Sequence, residues 1–349
     1  MNGGEPAPAS APAARPPVSP AERAALALAR FAAPDGNAWG LSLTASPIRR
    51  VERPFSHLTW YRLDAAGVAA DIVLKVARTR TGGRGTVSEA DAASDLAKVF
   101  AGDPSLGVIA PLQTYPDLGA IITPAIDAPS LGAQIEERAR WWPRPETQAI
   151  LTHGCQLAGQ WLRRLHVARP VAVPWSTMQL GEDLRLRMRL LADFPSAYGM
   201  PRALAVRLER WLDAHLRVAS PTALSVSLTH RDYSPSNMLY DGRVLRVLDL
   251  ATVGDAPRLL DVTRFLHQID MLALKPRYRP HMRHRLQDAF RTGYGDDALI
   301  ETSLVHVFMA RHSLSHWLGA ARRVRRDRAA VTAWLLCRRH RHALARIVA

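Results

Sequence analysis

The 349-residue sequence has only two cysteines, Cys155 and Cys337, too few for a disulfide framework and without metal-binding spacing. Two isolated thiols fit a reducing compartment, so a cytoplasmic setting is expected. Long apolar runs are also missing. The stretch Ala24 to Ala33 is broken by Arg30 and falls far short of the roughly 20 residues that a membrane span needs. The N-terminus is rich in Pro and Ala and carries Glu5, but it lacks the apolar centre of a secretory signal. Aromatics are not interleaved with the arginines, which makes nucleic acid the weakest fit among anionic partners.

Positive charge is what the chain has in excess. The formal net charge is +15, most of it from arginine, and from Thr302 onward ten arginines meet a single acid, Asp327. A solvated helical face accounts for such a run; an anionic substrate or an anionic membrane surface would also use it. The segment His312 to Arg346 is basic and partly amphipathic, a pattern that membrane-surface helices share.

Residues 1–18 are dominated by Ala, Pro, Gly and Ser and are expected to be a disordered leader. Ser19-Pro20-Ala21-Glu22 then reads as a capping box that opens a helix ending near Ala33, before Pro34-Asp35-Gly36. Alternation over Leu58 to Leu63 and Val68 to Ala77, around the turn Asp64 to Gly67, predicts a hairpin. Thr86-Val87-Ser88-Glu89 reads as a second capping box, opening a helix to about Phe100. Strands are expected near Gly107 to Thr114 and Ala120 to Ile126. From Ser130 the pattern is mostly helical, with a stripe of Leu151, Leu157, Trp161, Leu162 and Leu165.

The exception is Leu224 to Leu250, where apolar runs flank the polar loop Thr229-His230-Arg231-Asp232-Tyr233-Ser234-Pro235-Ser236-Asn237. That pattern predicts a hairpin with polar groups at its tips. Phosphoryl transfer to an alcohol needs a carboxylate to orient and deprotonate the hydroxyl, and an amide oxygen and a second carboxylate to hold Mg²⁺ on the phosphates. Asp232, Asn237 five positions on, and Asp249 behind an apolar strand supply that set. Asp and Asn are also ordinary turn residues, so the spacing alone carries little weight.

The order His230-Arg231-Asp232, Asn237, Asp249 and then Asp261 resembles the catalytic and metal-binding segments of the aminoglycoside phosphotransferase and choline kinase family, a small-molecule branch of the protein-kinase-like fold. The resemblance implies an α+β, bilobal fold. Residues 19–126 would form a small nucleotide-binding lobe with an antiparallel sheet and a helix, and 127–349 a larger, mostly helical catalytic lobe. It implies ATP and Mg²⁺ as cofactors, with Asp232 as catalytic base, Asn237 and Asp249 as metal ligands, and Asp261 as a structural brace. Lys75, on the strand face opposite Ile72, Leu74 and Val76, would hold the α- and β-phosphates, and Val73 on its own face would roof the adenine. Glu89, or in its place Asp95, would pair with Lys75. The chain has no Gly-x-Gly-x-x-Gly loop; Ser56, in Pro54-Phe55-Ser56-His57, stands where a Ser-rich turn would cover the phosphates. Ile121 to Ile126 would be the hinge.

Two features separate the chain from protein kinases. Ser234 stands two positions after Asp232, where those enzymes carry lysine, and only eleven residues lie between Asp249 and Asp261, too few for an activation segment. The expected reaction is therefore transfer of the γ-phosphate of ATP, or of GTP, to a hydroxyl of a small molecule. A polycationic aminoglycoside wants carboxylates around it, and this arginine-rich C-terminal part favours a sugar-like, amino-alcohol or lipid-linked alcohol. Trp141, Trp142 and Trp317 are candidates for stacking on it, or for core packing. The alternative is an inactive kinase-fold protein that binds nucleotide, or binds an acidic partner through its basic tail.

Overall fold

The computed structural model describes residues 19–65, 67–79, 83–141, 143–171, 176–219, 224–275, 277–295, 304–327 and 329–349; the expected leader and Trp142 lie outside them. The described residues form two compact units. One holds the chain up to Val87 with Pro111–Ala125, the other Ser88–Ala110 with Ile126–Ala349.

In the smaller unit, helix α1 (Pro20–Ala32) starts as the capping box dictates: Ser19 Oγ accepts from the Glu22 amide at 3.2 Å and the Ser19 amide donates to the Glu22 carboxylate at 2.6 Å. The buried Arg23 fastens α1 down by donating to the carbonyls of Ala77 and Leu118 at 2.7 and 3.0 Å. Strands β1 (Thr44–Glu52), β2 (Ser56–Ala65) and β3 (Val68–Ala77) follow. Helix α2 (Gly83–Val99) begins three residues ahead of Thr86, where the sequence placed its start, so Ser88 and Glu89 lie inside the helix.

The strand expected over Gly107 to Thr114 divides into β4 (Leu106–Val108) and β5 (Gln113–Tyr115), ahead of β6 (Ala120–Pro124). The sheet of the smaller unit is antiparallel in the order β1-β2-β3-β6-β5. Its inner face buries Leu63, Ile72, Leu74, Val76 and Ile122 with Phe31 of α1. Strand β1 was not legible in the sequence: it is an edge strand with no buried side chain, so it needs no apolar alternation.

The larger unit takes up the rest of α2, where Ala93, Leu96 and Phe100 enter its core, and β4. It continues with α3 (Leu131–Arg138), α4 (Pro145–Ala168), β7 (Pro170–Val171), α5 (Thr177–Ala192), α6 (Arg202–Val218), β8 (Val226–Thr229), β9 (Met238–Tyr240), β10 (Leu245–Val247) and β11 (Gly254–Pro257). Helices α7 (Leu259–Asp270), α8 (Pro280–Tyr294), α9 (Leu304–Arg326) and α10 (Val331–Ile347) complete it. Helices α4 and α8 cross closely through Gly159 and Gly293. A Cβ on Gly159 would lie 2.2 Å from the Phe290 carbonyl oxygen, and one on Gly293 would lie 2.0 Å from that of Gln156.

Two three-stranded sheets, β4-β10-β9 and β11-β8-β7, carry the polar loop between them. The expected hairpin across this loop is thus replaced: β8 pairs with β11 and β7, and β9 pairs with β10. The loop links two sheets, and each end is held by a different neighbour. The basic C-terminal segment also differs from a surface helix over part of its length, since α9 buries Phe308, His312, Leu314 and Trp317 among α5, α7 and α10. Trp317 donates to the Tyr198 carbonyl at 2.7 Å as a core residue, whereas Trp141 is 51% exposed. No described helix is long and apolar enough to cross a membrane.

Candidate active site

The loop after β8 is fixed from below by Asp261 on the first turn of α7. The two oxygens of this fully buried carboxylate accept from consecutive amides, His230 at 2.6 Å and Arg231 at 2.7 Å. Two amides converging on one carboxylate need a sharp turn, and Arg231 supplies it at φ +67°, a left-handed conformation that glycine adopts at less cost. The Arg231 side chain lies over Gly254 and donates to the Asp255 carbonyl at 2.9 Å. His166 Nε2 sits 3.5 Å from Asp261; burial still pulls its pKa below the ordinary 6.5, outweighing the neighbouring carboxylate.

His230 works within the scaffold. Its Nε2 faces the Leu248 carbonyl at 2.9 Å, so that nitrogen carries the proton and Nδ1 accepts from the Asp232 amide at 3.3 Å. Trp161 of α4 stacks on Tyr233 and meets His230 edge-on, and Tyr233 donates to the Ala158 carbonyl at 2.7 Å. The loop therefore rests on a packed aromatic floor rather than on solvent.

Asp232 projects from this floor with its side chain 45% exposed. Asn237, in a tight turn at Pro235–Asn237, donates through Nδ2 to the Asp232 carbonyl at 3.0 Å and lies 3.4 Å from Oδ2. The Leu248 amide bonds to the Asn237 carbonyl at 2.8 Å, which extends the β9–β10 ladder and sets Asp249 one residue beyond it. Asp249 takes φ +62°, ψ +55°, the left-handed geometry that ends the strand and opens the next turn. Asp232, Asn237 and Asp249 thus come from one loop and the adjoining hairpin. Their donor set consists of oxygens only, the kind that suits a hard cation such as Mg²⁺. Among the described residues no group of three His, Cys, Asp or Glu could hold a metal alone.

The other expected residues fall in separate places. Val73 and Lys75 share the half-buried face of β3, with Lys75 opposite Leu58 and Ile121, while Ile72, Leu74 and Val76 are buried on the other face. Ser56 is buried at the start of β2, after a turn in which the Arg53 amide bonds to the Ser56 carbonyl at 2.8 Å. These three belong to the smaller unit. Glu89 lies in the part of α2 that belongs to the larger one, and Asp95 on the same helix is paired with Lys98.

Arg264 is a further residue of the site, one not singled out from the sequence. It donates to Asp232 Oδ1 through Nε at 3.2 Å and Nη2 at 2.8 Å, and its Nη1 meets His316 Nε2 at 2.6 Å. Burial and then Arg264 push the His316 pKa down to about 4, so its Nε2 is available as an acceptor. The available signal was a lone cation in the apolar run Leu259 to Leu266, one turn after Asp261. Asp232 and Arg264 line a cavity of about 560 Å³ together with Arg231, Arg311, His312 and Ser315. A half-exposed carboxylate with one oxygen held and a cavity beside it can accept a proton from a bound hydroxyl.

Known proteins share the fold. Among solved structures, a choline/ethanolamine kinase family protein from Mesorhizobium loti is similar at a TM-score of 0.56 and 16% identity, with 93% of each chain covered. A glucosamine kinase is similar at 0.54 and 15%, covering 88% of this chain and 94% of its own. An amicoumacin kinase in complex with AMP-PNP, Ca²⁺ and its ligand follows at 0.52 and 13%, covering 85% and 87%. At such identities these likenesses establish the fold, the α+β protein-kinase-like one. No curated protein matches the sequence. The model of the phosphotransferase enzyme family matches residues 47–300, well over half of the chain. The chain belongs to this phosphotransferase family and is a small-molecule kinase.

Proposed function

We propose that the protein transfers the γ-phosphate of ATP to a hydroxyl of a small molecule, with Asp232 as the base that orients and deprotonates it. The observation that carries this reading is Asp232 itself, half-exposed on the cavity wall with Asn237 bonded to its carbonyl and Asp249 one ladder step away. Asn237 and Asp249 would hold Mg²⁺, which when bound neutralises the phosphate charge. The nucleotide analogue and divalent ion named with the amicoumacin kinase support the same cofactor class here. Lys75 would bind the α- and β-phosphates, with Val73 against the adenine, Ser56 near the phosphates and Glu89 as the acidic partner of Lys75. In-line attack then needs little covalent chemistry from the protein: Asp232 takes the proton while positioned groups hold the phosphates still.

The acceptor is an alcohol on a sugar-like, amino-alcohol or lipid-linked molecule rather than a polycationic aminoglycoside. Support comes from the cavity, whose wall carries three arginines and one carboxylate. A cytoplasmic setting goes with two buried free thiols. Thermal stability with and without Mg²⁺–ATP and Mg²⁺–GTP tests the reading. A Mg²⁺-dependent rise for ATP that Asp249→Ala abolishes is expected; no rise with either nucleotide at millimolar concentration would overturn it.

A further inference from the structure

Arg311 shares its carboxylate partner, Asp183, with a second arginine. Its side chain is 20% exposed, and burial presses its pKa downward against the opposing pull of Asp183. A guanidinium stays charged regardless and offers five N–H donors in a fixed fork. Arg311 uses one of them, donating from Nε to Asp183 Oδ2 at 2.7 Å. Asp183 does not balance it, because the same carboxylate is also paired with Arg187. Four donors of Arg311 have no protein acceptor among the described residues, and the side chain lines the cavity.

The same wall carries two more guanidinium groups. Arg264 gives three of its five N–H groups to Asp232 and His316, and two remain. Arg231 gives one to the Asp255 carbonyl. Asp232 is the one carboxylate on the wall, and one of its oxygens is already held by Arg264. Buried His312 is kept neutral, its pKa pushed far below the ordinary value by burial and by Arg264 and Arg311, and the Ser315 hydroxyl is occupied, donating to the Arg311 carbonyl and accepting from Arg187 Nε. The hydroxyl-accepting carboxylate thus stands at the edge of a cationic cavity large enough for a monosaccharide derivative.

We propose that the acceptor alcohol also carries an oxyanion, a carboxylate or a phosphate, which Arg231, Arg264 and Arg311 bind in this cavity. The proposal rests on the phosphotransfer reading for the word acceptor; the anion site itself does not. Two or three guanidinium groups on one oxyanion form paired, charge-assisted hydrogen bonds, and these select for planar or tetrahedral oxygens over ammonium groups. Binding the anion here also fixes the distance from its hydroxyl to Asp232, so the arginines would set which hydroxyl reacts.

The test uses one scaffold with four charges: glucose, glucosamine, glucuronate and glucose 6-phosphate, with inorganic phosphate as a probe free of the scaffold. Binding to the full chain is measured by calorimetry in the presence of Mg²⁺–ADP. At least one anionic sugar is expected to bind at least tenfold tighter than glucose or glucosamine, and the stronger of the two identifies the oxyanion. Arg311→Gln is expected to remove that preference at least tenfold, Arg311→Lys to restore part of it, and the exposed Arg207→Gln to leave it intact. Should Arg311→Gln not fold, Arg231→Gln at the surface gives the same reading. Equal binding of all four sugars, a preference for glucosamine, an equal loss in Arg207→Gln, or no binding of any probe at millimolar concentration would each overturn the proposal. The nucleotide measurement is separate. If Mg²⁺–ATP stabilises the protein and anion selectivity is absent, only the acceptor assignment falls. If the anion binds through Arg311 and no nucleotide does, the phosphotransfer reading falls and the anion site stands.

Discussion

Arg264 holds Asp232 by a fork onto a single oxygen, Nε at 3.2 Å and Nη2 at 2.8 Å from Oδ1, leaving Oδ2 with only the 3.4 Å approach of Asn237. The two oxygens of the proposed base are therefore unequal, and Oδ2 is the one free to take a proton. Arg264 acts through Asp232 as a positioning residue. Arg264→Ala is expected to lower kcat roughly 10²-fold, the cost of a misplaced reacting group. Asp232→Asn removes the proton acceptor and is expected to cost about 10²–10⁴-fold. Steady-state kinetics with nucleotide affinity measured alongside separates the two roles. Nucleotide binding should survive both changes, and Arg264→Lys should recover part of the rate. Full turnover in Asp232→Asn would sink the base assignment.

Phosphate chemistry demands particular residue types at particular spacings, and the candidate residues were chosen on that ground. The order of Asp232, Asn237 and Asp249 carried the resemblance from which their roles are proposed, and the shared face of Val73 and Lys75 followed from a strand alternation that β3 obeys. Arg264, Arg311 and His316 were not legible. Their role depends on how α7 and α9 lie against each other, and residues 264 and 316 are joined by no local pattern. The strand expected over Gly107 to Thr114 fails in its first residues for the same reason: they fall in β4, which pairs with β10, some 140 residues away in sequence. Local periodicity shows which face of an element is buried and is silent about what covers it.

Asp261 should matter for stability before it matters for chemistry. Replacing it with Ala leaves the buried amide of His230 and the part-buried amide of Arg231 without this acceptor and removes what holds Arg231 at φ +67°. A loss of about 3 kcal/mol is expected. Asp261→Asn should lose less, because its amide retains one oxygen for one of the two donors. Urea denaturation gives the ranking, wild type above Asn above Ala. Equal midpoints for the three would show that the turn is fixed by other contacts.

Protonation should loosen the larger unit in mildly acidic solution. His267, His312, His316 and His340 cluster between α7, α9 and α10, and burial lowers the pKa of each, to about 4 for His316 and about 3 for His340. Between those values and the ordinary 6.5 the unfolded chain binds more protons than the folded one. Stability is therefore complete above about pH 6.5 and falls as the pH drops, down to about 4 for His316 and about 3 for His340. His316 alone accounts for at most roughly 3 kcal/mol over that range. Denaturation midpoints at about pH 7.5 and about pH 5 should differ in this direction, and His316→Gln should reduce the difference. A midpoint that rises on acidification would contradict the buried, neutral cluster.

The crossing of α4 and α8 should tolerate no added methyl group. At Gly293 a Cβ would meet the Gln156 carbonyl oxygen at 2.0 Å, and at Gly159 one would meet the Phe290 carbonyl oxygen at 2.2 Å. Both obstacles are helix backbone, which cannot rotate away as a side chain would, so relief requires the helices to separate. That separation would disturb the stack that carries the loop bearing Asp232, because α4 supplies Trp161 and the Ala158 carbonyl to Tyr233, and α8 supplies Phe290 to Phe265. Gly293→Ala ordinarily favours a helix by about 1 kcal/mol; here the clash should reverse the sign and cost about 3 kcal/mol. Gly319→Ala on α9, where a Cβ meets nothing within 4 Å, is the control and should be neutral or stabilising. If Gly293→Ala instead melts at the wild-type temperature, the helices do not cross at this distance, and the aromatic floor beneath Asp232 must be held by other contacts.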